Sequence, residues 1–265
     1  MALCLFLLLI ITTLYTSISV TESTNRSQLT EANMKKGVHN LPQVQHRKIA
    51  QHLSRVIRNV VFYKGNAHLK QVALTFDDGP DNYYTPKILD ILRANGVTGT
   101  FFIVGKQAKR FPEMVKRIVG EKNAIGNHSW DHPEFWKLTN KQITQEIVST
   151  QNEIQQITGH RTTLFRPPYG SVTSAEVDLI HNLGYSIIDW SVDTLDWKGN
   201  SDTAILQVVK KEVSPGGIIL EHSLAGRPGE LNGTLTALPK IINMLREQGY
   251  KFVTIPTLLD QKLRT

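Results

Sequence analysis

From residue 71 onward, short apolar runs alternate with longer stretches in which apolar residues recur every three or four positions. The short runs predict strands at Val72–Phe76, Thr98–Val104, Ala124–Asn127, Thr163–Arg166, Tyr185–Trp190, Gly217–Glu221 and Phe252–Ile255. The longer ones predict helices at Thr85–Ala94, Pro112–Val119, Lys141–Ile157, Ala175–Leu183, Thr203–Val213 and Leu238–Gln248. Several run into a glycine (Gly96, Gly159, Gly184, Gly249), the residue that most easily adopts the left-handed backbone ending a helix. Strands alternating with helices predict an α/β protein with a parallel sheet. No glycine-rich dinucleotide fingerprint follows the first strand. A distorted, incomplete (β/α) barrel of about seven parallel strands is therefore expected over an open sheet.

The N-terminal quarter is patterned differently. Residues 2–11 form an unbroken apolar run that fades into small hydroxylated residues near Ser17 to Ser19. That pattern predicts a signal peptide over residues 1–20, or a membrane anchor if it is not removed. Residues 21–65 are read as a polar linker and a basic amphipathic helix ahead of a domain at 66–262. The helix is expected over Gln43–Val61, with a stripe of Ile49, Leu53, Val56, Ile57 and Val60 and with Arg47, Lys48, Arg55 and Arg58 around it.

Composition sharpens this division. The 265 residues, 40% hydrophobic, suffice for one full-sized core. The formal charge is +7, but residues 21–70 hold nine basic against two acidic side chains, and the remainder is balanced. Basicity thus belongs to the arm: it suits an anionic cell wall or membrane surface and gives no reason to expect nucleic acid. A monomer is expected. The single cysteine, Cys4, excludes a disulfide framework and a cysteine-based zinc finger, so the nine histidines carry any prospect of a metal.

Reactive residues cluster at the C-terminal ends of the expected strands, the face where barrels of this kind hold their active sites. Asp77 and Asp78 follow the first strand, and neighbouring strand residues point in opposite directions unless the strand breaks there. After the third, His128 and His132 lie four apart; a helical turn would set both rings on one side, able to share a divalent cation with an Asp from another strand. Arg166 opens the stiff loop Arg166-Pro167-Pro168-Tyr169-Gly170; its guanidinium can hold a carboxylate bidentately, and the Tyr169 amide can face a developing oxyanion. Asp193-Thr194-Leu195-Asp196-Trp197 and Leu220-Glu221-His222 belong to neighbouring strand ends. A carboxylate beside His222 would suit a general acid, with Trp197 and Leu220 walling a small apolar pocket.

In this order the five segments resemble the polysaccharide deacetylases of carbohydrate esterase family 4, over roughly residues 70–260. The resemblance implies a distorted (β/α) barrel and metal-dependent removal of acetyl groups from a polysaccharide. Carried over by motif, it implies that Asp78, His128 and His132 hold the metal, that Asp77 is the general base and that His222 is the general acid. It implies orienting roles for Arg166 toward Asp77 and for Asp193 toward His222. Zinc is expected, with cobalt or another first-row ion as alternatives. One departure is Ser223, where the family often has an acidic residue. The expected substrate is an N-acetylated cell-wall polymer, peptidoglycan before chitin because the chain is small and free of disulfides. Alternatives are a chitooligosaccharide deacetylase, an O-acetyl xylan esterase and a catalytically silent wall-binding protein. The expected place is outside the cell, at the wall.

Overall fold

A strand with apolar residues on both faces must be covered on both, and the central strands meet that condition. The computed structural model describes residues 60–263. Its strands are β1 (Val61–Phe62), β2 (Gln71–Asp77), β3 (Thr100–Ile103), β4 (Ala124–Asn127) and β5 (Leu164–Phe165). There follow β6 (Ser186–Ile188), β7 (Val192–Asp193), β8 (Gly217–His222) and β9 (Lys251–Phe252). All pair in parallel in the order β1-β6-β5-β4-β3-β2-β8-β7, with β9 added to the start of β2.

The helices are α1 (Tyr84–Ala94), α2 (Gly105–Arg110), α3 (Pro112–Gly120), α4 (Asn140–Thr158) and α5 (Ser174–Asn182). The last three are α6 (Asp202–Glu212), α7 (Asn232–Glu247) and α8 (Ile255–Leu263). Several of their starts are set by short polar side chains that satisfy otherwise unpaired amides. Thr139 with Gln142 and Thr173 with Glu176 form reciprocal caps on α4 and α5, and the Asp81 carboxylate takes the amides of Tyr83, Tyr84 and Thr85 before α1.

Period-two alternation along β2 divides the core. Val72, Leu74 and Phe76 pack outward against Ile88, Leu89, Ile241 and Leu245 of the helical layer. Ala73 packs inward with Phe102, Ile188 and Ile218, over Ile255 and Leu258 of α8. Fully burying such a side chain contributes about 1.5–3 kcal/mol, and this inner group fills the floor beneath the catalytic face.

The sheet is a barrel with one seam, between β6 and β8, and two stretches of chain cross it. Residues 61–65 pair with β6 through β1, then bridge antiparallel at Lys64 to Gly217, with Gly65 N donating to Gly216 O at 2.8 Å. Beyond β6, Asp189 to Ser191 carry the chain over to β7, which pairs with β8.

The distorted parallel barrel expected from sequence is the observed fold, with corrections at its edges. The expected strand Tyr185–Trp190 is shortened to Ser186–Ile188, because Asp189 N turns to Phe62 O on one side while Ser191 N, just past the expected end, turns to Ile218 O on the other. The last expected strand ends at Phe252, and Ile255 opens α8 instead. The expected helix over Gln43–Val61 ends instead in a turn at Val60 and the start of β1 at Val61; residues 1–59, with the rest of that helix and the export segment, lie outside the described residues. Among the described residues no helix is long and apolar enough to cross a membrane.

Candidate active site

The end of β2 separates its two carboxylates. Asp77 is the last strand residue and points inward, whereas Asp78 has a left-handed backbone (φ 74°) that breaks the alternation. The break is held by Ser223, whose amide (2.9 Å) and hydroxyl (3.1 Å) both donate to the Asp77 carbonyl. Gly79 leaves room for it: a Cβ there would lie 2.4 Å from the Ser223 hydroxyl. Ser223 is fully buried, so the family's often acidic position serves here as a backbone clamp and is no part of a substrate rim.

Asp78 reaches toward both imidazoles, its Oδ1 lying 3.5 Å from Nε2 of His128 and 3.5 Å from Nε2 of His132. One donor atom from each of the three residues falls within 4.8 Å of the others. Ligands held about 2.0–2.1 Å from a tetrahedral ion stand about 3.4 Å apart, so this donor set fits a divalent cation. His128 is buried, and its Nδ1–H donates to the Arg166 carbonyl at 2.7 Å, which turns Nε2 toward the site. The helical turn expected between the two histidines is not formed. Left-handed backbone at Ser129 (φ 65°) and His132 (φ 60°) brings the rings 4.9 Å apart, and Glu146 of α4 pins the loop through the amides of Trp130 and Asp131.

The electrostatics suit a cation. Burial alone would raise the Asp78 carboxyl, but the His128 hydrogen bond and the charges of His222, His132 and His128 hold it far below the usual carboxylate range. Burial, then the charge of His128, depress His132 to about 4, leaving its ring neutral at physiological pH. For His128 burial is outweighed by Asp77 and Asp78, and its affinity for a proton is raised.

Asp77 is anchored by Arg166, which is completely buried. Arg166 Nη1 donates to Asp77 Oδ1 at 2.7 Å and to the Thr75 hydroxyl at 2.9 Å; Nε donates to the Ile188 carbonyl and Nη2 to that of Asp189. The grip on the carboxylate is therefore single, and not the bidentate one expected. The guanidinium lies 4.1 Å from the Phe102 ring centre, with Trp190 at 5.7 Å, so its charge is held among aromatic faces. The loop after it keeps this shape through consecutive left-handed residues at Tyr169 (φ 60°) and Gly170 (φ 60°). A Cβ on Gly170 would lie 2.3 Å from the Trp190 ring.

At the neighbouring strand end, where His222 is the register partner of Asp77, the carboxylate that orients His222 is Asp196 and not Asp193. Asp196 Oδ1 accepts from His222 Nδ1 at 2.7 Å and from the Trp197 amide, while Oδ2 accepts from the His222 amide and the Thr234 hydroxyl. Asp193, at the end of β7, instead accepts the Leu195 amide and closes the turn that presents Asp196. Burial by itself would lower His222, but the charge and hydrogen bond of Asp196 raise it to about 10, so the ring is an imidazolium at neutral pH. The spacing Asp193-x-x-Asp196 offered two carboxylates, and sequence alone could not say which one the turn delivers.

The remaining expected residues line the surroundings. The Tyr169 ring packs against His132 at 4.5 Å and Trp136 at 5.9 Å. Leu220 is buried on the same face of β8 as His222; Trp197 stands 39% exposed at the surface, with Lys198 Nζ 5.0 Å from its ring. Two buried acids escaped sequence reasoning. Asp189 lies at the split between β6 and β7, and Glu221 faces the helical layer with neither carboxylate oxygen hydrogen-bonded among the described residues.

Comparison with known proteins agrees with this geometry. A family model described as polysaccharide deacetylase matches residues 64–188. A peptidoglycan-N-acetylglucosamine deacetylase of Bacillus cereus is 41% identical over 198 residues, covering 75% of this chain and 71% of its own length. The peptidoglycan-N-acetylmuramic acid deacetylase PdaA of Bacillus subtilis is 38% identical over 205 residues, covering 76% of each. A crystal structure of a peptidoglycan N-acetylglucosamine deacetylase with 4-(naphthalen-1-yl)-N-hydroxybenzamide superposes with a TM-score of 0.75 at 39% identity, covering 78% of this chain and 96% of that one. A pseudoenzyme of the same family from Bacillus anthracis also superposes, with a TM-score of 0.70 at 34% identity over 76% of this chain and 69% of that one, so fold alone does not carry the chemistry. With its five motifs gathered at one barrel mouth and relatives covered over most of their length, the chain belongs to the polysaccharide deacetylases of carbohydrate esterase family 4.

Proposed function

We propose that this chain is a metal-dependent hydrolase that removes N-acetyl groups from the sugars of peptidoglycan and releases acetate. The observation that carries the reading is the pairing of an anchored carboxylate, Asp77, with an imidazolium, His222, its register partner on the neighbouring strand, beside the Asp78–His128–His132 donor set. Asp78, His128 and His132 would hold the ion, and two imidazoles with one carboxylate suit zinc before magnesium. When bound, a divalent cation supplies an activated water and polarises the acetyl carbonyl.

This chain's residues do the rest. Asp77, fixed by Arg166, accepts the proton of the attacking water. The Tyr169 amide, in its left-handed turn, is assigned to the oxyanion. His222 keeps Nδ1 on Asp196, which leaves Nε2–H to protonate the departing amine. An amine expelled as an anion is a very poor leaving group, so acid and base are both required.

The same reading takes residues 1–20 as an export signal or anchor, and the basic residues 21–65 as the part that meets an anionic wall. A silent wall-binding role would call for a missing ligand, base or acid, and each is present. The test is acetate release from N-acetylglucosamine oligomers, intact peptidoglycan and O-acetylated xylan, with and without added zinc. Zinc-dependent release from peptidoglycan, with the product sugar identified as glucosamine or muramic acid, supports the proposal. Release from xylan alone, or from no polymer, overturns it.

A further inference from the structure

Arg166 is the one fully buried Lys or Arg among the described residues, and two buried carboxylates adjoin it. Asp77 is 3% exposed and Asp189 is 8% exposed. Asp77 takes a side-chain hydrogen bond from the guanidinium, whereas Asp189 presents its backbone carbonyl to Nη2 at 3.2 Å. The Asp189 side chain turns elsewhere: Oδ1 accepts the Trp190 amide at 3.1 Å, and the carboxyl shares a hydrogen bond with the Tyr63 hydroxyl. Tyr63 directly follows β1, and the Asp189 amide is itself tied to Phe62 O at 2.9 Å. The seam of the barrel thus connects the start of the described chain to the anchor of the general base.

We propose that Tyr63 and Asp189 are positioning residues for Asp77, acting through Arg166: Tyr63 keeps the Asp189 carboxyl turned away from the guanidinium, and the charge on Asp189 sets how strongly Arg166 holds the base. The inference rests on the reading of Asp77 as the base. The groups that face Asp189 are Arg166 at the end of β5, Asp77 on β2, Asp193 on β7 and Tyr63 after β1. Burial raises Asp189 to about 7, against the opposing pull of Arg166. Below that pH the neutral acid leaves the guanidinium to Asp77. Above it a second buried anion shares Arg166, the hold on Asp77 loosens, and Asp77 becomes a stronger base.

The test is the pH profile of kcat/KM for the zinc-loaded chain on an N-acetylglucosamine pentamer, for the parent, Asp189→Asn and Tyr63→Phe. The parent should show a rising step of about threefold to tenfold centred near pH 7. Asp189→Asn should lose the step. Tyr63→Phe, which removes a donor to the ionised carboxylate, should move it to higher pH. An active parent whose step persists in Asp189→Asn, or stays in place in Tyr63→Phe, overturns the positioning role and leaves the deacetylase reading standing. A parent inactive on every acetylated polymer overturns the deacetylase reading, and this role with it. Should Asp189→Asn fail to fold, the shift in Tyr63→Phe alone decides.

Discussion

The two sides of the catalytic mouth hold their charges in contrasting ways. On the acid side, one carboxylate, Asp196, accepts four hydrogen bonds, two of them from His222 itself. On the base side, one cation, Arg166, spreads four donations over Asp77, the Thr75 hydroxyl and two carbonyls, leaving Asp77 a single bond to it. A saturated anion fixes its imidazolium firmly, whereas a shared cation holds its carboxylate loosely enough for a neighbour to retune it. On the proposed roles, the acid His222 is set by one partner and the base Asp77 by a network.

Removing either reacting group should have the largest effect. Asp77→Asn and His222→Ala are each expected to lower kcat on N-acetylated oligomers by about 10²–10⁴. His222→Ala should lose less on an O-acetyl ester, because an alkoxide leaves more readily than an amide anion; equal losses on both substrates would break the assignment of His222 as acid. Next is the choice of orienting carboxylate. Asp196→Asn should cost about tenfold to a hundredfold in kcat, Asp193→Asn no more than about threefold. The alkaline limb of kcat should also move down in Asp196→Asn. Asp196 raises His222, so the proton is held more tightly folded than unfolded. That coupling stabilises fully below about pH 6.5 and is lost as pH climbs toward 10. Asp196→Asn should therefore lower Tm at pH 6 more than at pH 10.

The smallest effect is on stability. Glu221 is a buried acid behind the acid side; burial, reinforced by Asp196, raises it well above the usual carboxylate range. A carboxyl that keeps its proton folded but releases it unfolded lowers stability as pH passes the ordinary glutamate range near 4.3. Glu221→Leu should gain about 1–3 kcal/mol at pH 8 and less at pH 4, as followed by urea unfolding. Equal gains at both pH values would show that ionisation has no part.

Much of this architecture was legible in sequence because its signals are local. The strand cores were set by apolar runs, and the catalytic face by reactive residues following them. What escaped depended on contacts between distant segments. The run Tyr185–Trp190 reads as one strand, yet it stops at Ile188, after which Asp189 N bonds Phe62 O and Ser191 N bonds Ile218 O across the seam. Asp196 displaced Asp193 because the Leu195 amide captures the nearer carboxylate, a turn that composition cannot reveal. Ser223 reads in sequence only as a departure from the family's often acidic residue, and its hydrogen bonds to Asp77 O show it to be a buried clamp.

The claim on which all of this depends is that Asp78, His128 and His132 hold one divalent ion. Calorimetric titration of the metal-free chain with zinc tests it most directly, alongside Asp78→Ala and His132→Ala. One equivalent bound by the parent, and at least a hundredfold weaker binding in each variant, is the predicted result. Binding of equal strength in parent and variants, or no binding by the parent, would contradict the account.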